Sequence, residues 1–148
     1  FRLRGSNQVA LPFKTIYLTF PENSPLGTEL RRNIQASGET RVTKIATEAE
    51  ATLDVLSETR SKVILSLNSQ GQVAEYSLYY RFKFQVRNKA GKIWLAPVEI
   101  VLKRDISFNN SQILSKESEE ASLYRDMQSD LVQQILRRLT AMKPEAAS

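Results

Sequence analysis

Between Gly71 and Arg87 apolar and polar residues alternate almost without a break. Ala74, Tyr76, Leu78, Tyr80, Phe82, Phe84 and Val86 interleave with Glu75, Ser77, Tyr79, Arg81, Lys83, Gln85 and Arg87. Successive strand side chains point to opposite faces, so this is one long strand with an apolar face for a core and a second face rich in cations. A shorter strand is predicted over 14–20, where Ile16, Leu18 and Phe20 share a side. Ser24 followed by Pro25 forms a cap and first-turn pair, and Leu26, Leu30 and Ile34 recur every four residues, which predicts a helix over 25–37 ended by Gly38. From Thr52 to Leu67 the odd positions Leu53, Val55, Val63, Leu65 and Leu67 predict another strand, bent in its polar middle between Ser57 and Ser61.

Asn68-Ser69-Gln70-Gly71 and Asn88-Lys89-Ala90-Gly91 have turn chemistry and bracket the alternating strand, so a meander is expected. The fourth strand, over 93–103, points Trp94, Ala96, Val98, Ile100 and Leu102 one way and Ile93, Leu95, Glu99, Val101 and Lys103 the other; Pro97 marks an edge or a bulge. Ser107 to Ser115 reads as a loop. Leu123, Met127, Leu131, Ile135 and Leu139 then trace a helical stripe, with Glu117, Glu119 and Glu120 at its start and Arg137 and Arg138 at its close, as the helix dipole favours. Residues 141–148 are expected to be a frayed tail after a single domain over 1–140. The order β-α-β-β-β-α gives an α+β fold: two helices packed on one face of a four-stranded mixed sheet, with a parallel crossover first and an antiparallel meander after it. The opposite sheet face is left for solvent or a partner.

The 148 residues are enough for one domain with a true core, and no apolar run approaches the length of a spanning helix. Lys and Arg number 21 against 16 Asp and Glu, a net charge of +5 that favours an anionic partner. The chain has no cysteine and no histidine, which removes thiol nucleophiles, Cys/His zinc sites and the commonest general base. Asp54, Glu58, Glu75 and Glu99 are scattered, and no Gly-rich phosphate loop or Gly-x-Ser-x-Gly elbow exists, so an enzyme with its own cofactor is not expected.

The face opposite the helices is expected to carry Tyr79, Arg81, Lys83 and Arg87, joined by Arg60 and Lys62 if the parity of the preceding strand holds. Lys and Arg side chains on such a face suit phosphoryl oxygens. A solvated basic face is the bland alternative. Nucleic acid fits less well, since Tyr76, Tyr80, Phe82, Phe84 and Trp94 lie on the core parity and are not free to stack on bases.

Several segments together resemble the LptE (RlpB) family of lipopolysaccharide-assembly lipoproteins of the Gram-negative outer membrane. They are Phe1-Arg2-Leu3-Arg4-Gly5, Ser24-Pro25-Leu26 with Leu30, Arg31, Arg32 and Ile34, Gly71-Gln72-Val73-Ala74-Glu75-Tyr76, Val101 to Arg104, and the final helix to Leu139. The resemblance implies a non-enzymatic protein that plugs the lumen of the LptD barrel, assists its assembly and binds lipopolysaccharide. It also implies an acylated cysteine just ahead of Phe1, outside this chain, anchoring the protein to the periplasmic side of the outer membrane. Family members place lipopolysaccharide-binding cations at the turn before the central strand and in the loop before the last helix. Lys116 matches the second position, whereas the turn has Ser69, so Arg60, Lys62, Arg81 and Lys83 are the candidates for the missing charge. A plug without lipid binding is the competing reading, and a basic nucleic-acid-binding domain a weaker one.

Overall fold

A computed structural model describes residues 11–107 and 113–142, without the side chains of residues 113–117. The elements run β1 (Thr15–Leu18), α1 (Pro25–Ala36), β2 (Arg41–Val42), a 3-10 turn (Ala46–Glu48), β3 (Ala51–Leu67), β4 (Val73–Asn88), β5 (Ile93–Ser107) and α2 (Ile113–Thr140). One mixed sheet has the order β2-β1-β3-β4-β5. β1 pairs parallel with β2 and β3, and β3, β4 and β5 form the antiparallel meander. The sheet therefore has five strands where four were expected. The extra one, β2, is two residues long and too short to show alternation; it is held by Arg41 N donating to Lys14 O and Thr43 N donating to Ile16 O, both at 2.8 Å.

Local chemistry sets the boundaries. Ser24 Oγ accepts from Gly27 N at 3.0 Å and Pro25 opens α1, so the cap and the preset φ start the helix together. At the β3–β4 turn Asn68 Oδ1 accepts from the backbone of Gln70 and Gln72, while Gly71 takes φ +78°, a conformation that L side chains resist. Asn88 and Gly91 repeat the device between β4 and β5.

Both helices lie on the same side of the sheet and on each other. Gln128 and Ser129 of α2 donate to Glu29 of α1, each at 2.8 Å. The core joins Leu26, Leu30 and Ile34 of α1 with Met127, Leu131, Val132, Ile135, Leu136 and Leu139 of α2 over Tyr76, Leu78, Tyr80, Phe82, Phe84 and Val86 of β4. The alternating strand therefore has the facing read from its sequence, with Tyr80 and Phe82 fully buried. Met142, assigned above to the tail, is also buried, so the packed unit extends at least to that residue; residues 143–148 lie outside those described.

Three expectations about facing and boundaries are corrected. A bulge between Val55 and Ser57 inserts Leu56 as an extra residue in β3, and this flips the parity as far as Ile64, beyond which the register shifts again. Leu53 and Val55 sit opposite Val86 and Phe84, but beyond the bulge it is Glu58, Arg60, Lys62 and Ile64 that sit opposite the buried Phe82, Tyr80, Leu78 and Tyr76. Val63, opposite Ser77, lies on the other face. In β5, an irregularity around Ala96 and Pro97 places Leu95 opposite Val86, where it packs against the core; Ile93 and Val101 remain on the helix-free face opposite Arg87 and Arg81. Finally, β5 runs to Ser107 and α2 begins at Ile113, so Glu117, Glu119 and Glu120 fall in the second turn of the helix, and Lys116 is helical.

Candidate functional site

The Leu56 bulge divides the candidate cations between two sides of the sheet. Arg60 and Lys62 are on the helix side, along the edge of β3 that has no strand partner beyond Val55 among the described residues, because β1 ends at Leu18 beside Leu53. Arg81 and Lys83 are on the opposite face. The single basic face expected from the sequence is not formed.

On the helix side the cations rest on rings. The Arg60 guanidinium lies 4.8 Å from the Tyr80 ring centre and 4.9 Å from that of Tyr124, two rings that meet edge to face. Tyr80 Oη donates to Glu58 at 2.6 Å, and Tyr124 Oη donates to the Ser61 carbonyl at 3.3 Å. Lys62 Nζ lies 4.7 Å from the Tyr76 ring centre and 3.3 Å from Glu120 Oε1, which also accepts from Tyr76 Oη at 2.9 Å. Burial first, and the neighbouring carboxylates second, push the Tyr76 and Tyr80 hydroxyls well above the ordinary tyrosine range, so both remain donors at every physiological pH. Arg60 and Lys62 are thus exposed heads on aromatic platforms and do not enter the core. Lys116 belongs to α2 one helical turn ahead of Glu120; its side chain lies outside the described residues.

The strand continues from these cations into an apolar end. Ile64, Leu65 and Leu67 are each at least half exposed, and Val63 nearly so. The exposure is contiguous along one strand, and cations next to exposed apolar groups make an amphipathic surface.

The helix-free face is more self-contained. Arg87 grips Asp54 through Nε at 2.6 Å and Nη2 at 3.0 Å, and Gln85 adds a bond at 2.8 Å. The Arg87 bond holds the Asp54 carboxyl below its ordinary value against the opposing effect of burial. Because the folded value is the lower one, this pair stabilises the fold fully above the unfolded carboxylate range and is lost as pH falls through the depressed value. Arg87, expected as an anion ligand, is in this way taken up by the fold. Lys83 sits opposite Glu99 in the ladder, Lys103 pairs with Asp105 at 3.7 Å, and Arg81 stacks over Tyr79 at 4.7 Å. Val101, Ile93 and Val63 are exposed apolar residues on this face.

Sequence reasoning missed Tyr124. It follows Leu123, one position off the apolar stripe, and its ring is the second wall of the Arg60 site. Nothing in helical spacing separates such a residue from an ordinary stripe neighbour. Among the described residues no group of carboxylates could hold a metal ion, and no helix is long and apolar enough to cross a membrane.

The LptE lipopolysaccharide-assembly family model matches residues 13–139. LPS-assembly lipoprotein LptE of Pectobacterium atrosepticum is 26% identical over 140 residues, covering 94% of this chain and 75% of the relative. A solution structure of lipoprotein B from Nitrosomonas europaea superposes with a TM-score of 0.79 at 39% identity, covering 95% of this chain and 90% of its own. Rare lipoprotein B from Shewanella oneidensis gives a TM-score of 0.70 at 25% identity, over 84% and 92%. The matched span runs from before β1 nearly to the end of α2, and it takes in both helices and the whole sheet; the chain belongs to the LptE family, a non-enzymatic group of outer-membrane lipopolysaccharide-assembly lipoproteins.

Proposed function

We propose that the chain performs its family's lipopolysaccharide-assembly role by binding lipopolysaccharide on the helix side of its sheet while serving as the plug and assembly partner of the LptD barrel. In this reading an N-terminal lipid anchor holds it on the periplasmic side of the outer membrane. Lys62, Arg60 and Lys116 receive phosphates, and the exposed end of β3 lies beside the acyl region. Arg81 and Lys83, on the other face, are left to contact the barrel or its water-filled lumen.

The observation that carries this reading is the placement of Arg60 and Lys62 by the Leu56 bulge. It puts them on the side of α2, whose first turn contains Lys116, and directly before the exposed Ile64, Leu65 and Leu67. A phosphorylated, acylated glycolipid needs cations and apolar surface within one molecular length, and that edge of the sheet offers both. A cation seated against a ring is held in place, so a charge-assisted bond from Arg60 or Lys62 to phosphate loses little side-chain entropy. Exposed charge pairs are screened over about 8 Å at physiological ionic strength, so binding weakens as salt rises.

Co-purification with the barrel protein and a separate titration with lipopolysaccharide test the proposal together. Both are expected to succeed with the unmodified chain. Barrel capture without any lipopolysaccharide binding would leave only the plug.

A further inference from the structure

Between the N-terminus of α1, the edge of β3 and the middle of α2 is an open groove of about 620 Å³. It is lined by Pro25 of α1, Arg60 of β3, and Glu120, Ala121, Tyr124, Arg125 and Gln128 of α2. We infer that this groove seats one acyl chain of a phosphorylated acyl lipid, with a phosphate of the same molecule held by Arg60 and Arg125. The inference rests on the lipopolysaccharide reading above and says where the lipid portion lies.

Charge supplies the first argument. Neither Arg60 nor Arg125 has a carboxylate within ion-pair distance among the described residues, while the acid that lines the groove, Glu120, is already engaged by Lys62 and Tyr76. Two unneutralised guanidinium groups converging on one cleft favour an anion. The Tyr80 and Tyr124 rings hold the Arg60 head beside the cleft, and a guanidinium group has five N–H donors with which to meet a phosphate.

Shape and apolar lining supply the second. Ala121 and Tyr124 are three residues apart on α2 and so share a helix face, and Pro25 closes the opposite wall without a backbone donor. The Gln128 amide donates to Glu29 at 2.8 Å, which ties α1 to α2 and fixes the separation of the two walls before any ligand arrives. The volume falls in the range of about 300–1,000 Å³ typical of ligand clefts. From its β3 margin at Arg60 the strand leads on to Lys62 and the exposed Ile64, so a lipid seated here stays continuous with the proposed phosphate contacts.

The test compares binding of lipid A with binding of its fully deacylated, still phosphorylated disaccharide, using the full chain. Ala121 is exposed, so Ala121→Trp fills the groove without removing a charge; its affinity for lipid A is expected to fall about tenfold, from lost apolar burial, with disaccharide binding unchanged. Arg125→Gln is expected to weaken both ligands about fivefold, the loss of one partly exposed charge contact. Should the Trp variant fail to fold, Ala121→Gln gives the same reading by placing an uncharged polar group in the cleft. Unaltered lipid A affinity in a folded Ala121 variant overturns the acyl seat. If Lys62→Glu still lowers lipid A binding in that case, the wider lipopolysaccharide reading survives; if the parent chain binds no lipid A, both fall.

Discussion

Phe82→Ala is expected to lower the unfolding free energy by about 3–5 kcal/mol, the range for emptying a fully buried aromatic site. Phe82 is 0% exposed in the middle of β4. Its ring stacks on Phe20 at 5.5 Å and lies 5.4 Å from Phe84, so it joins the loop before α1 to the central strand. The neighbouring rings are fixed by their own backbones and cannot close the space, so the cavity term adds to the lost transfer energy. Since domains of this kind are stable by only about 5–15 kcal/mol, one substitution removes a large fraction of the total. Urea unfolding followed by circular dichroism reads the effect. A loss under about 1 kcal/mol would mean that the stacked aromatic layer is not where the stability resides.

Gly27→Val is expected to cost about 3 kcal/mol and Gly27→Ala about 1–2 kcal/mol, although helix propensity alone would favour alanine by about 1 kcal/mol. A Cβ on Gly27 would lie 2.6 Å from Phe20 Cβ and 2.7 Å from its Cγ, well inside contact distance. Phe20 cannot simply swing away, because its ring is stacked on Phe82. The backbone of α1 approaches the chain entering it as closely as a glycine allows, and an added methyl must push the helix off the sheet. Thermal unfolding of the two variants gives the order, and a stabilised Gly27→Ala protein would contradict the close approach.

Most of the scaffold was legible because contrast between apolar and polar positions was strong where the core is. β4 alternates without interruption, α1 has both its cap pair and its four-residue spacing, and α2 has a long stripe that Val132 and Leu136 widen. The candidate site was not legible for the same physical reason in reverse. From Ser57 to Lys62 both parities of β3 are polar, so no apolar pattern pins the register there and the one-residue insertion at Leu56 is invisible. Arg60 and Lys62 tolerate the helix side because ring faces of Tyr80, Tyr124 and Tyr76 accept their charge. A cation over an aromatic platform reads in sequence as an ordinary solvated residue. The start of α2 was misplaced because the acids that favour a helix N-terminus occur in its second turn, not its first.

The proposed function rests on a division between the two faces that the strand pattern alone did not predict. The helix-free face neutralises much of its own charge, through Asp54 with Arg87 and Asp105 with Lys103. The helix side places Arg60 and Lys62 on rings, next to exposed apolar residues and a groove, while on the other face Arg81 lies over the Tyr79 ring opposite the exposed Val101. Both faces are basic, and on the proposed reading the helix side is the one that receives a molecule at once anionic and greasy.

A lipopolysaccharide titration of two double variants tests that division most directly. Lys62→Glu with Lys116→Glu is expected to lower affinity by about tenfold or more, the loss of two charge-assisted contacts, while Arg81→Glu with Lys83→Glu keeps the parent affinity. The opposite pattern, with binding abolished by the second pair and untouched by the first, would contradict the placement of the glycolipid on the helix side.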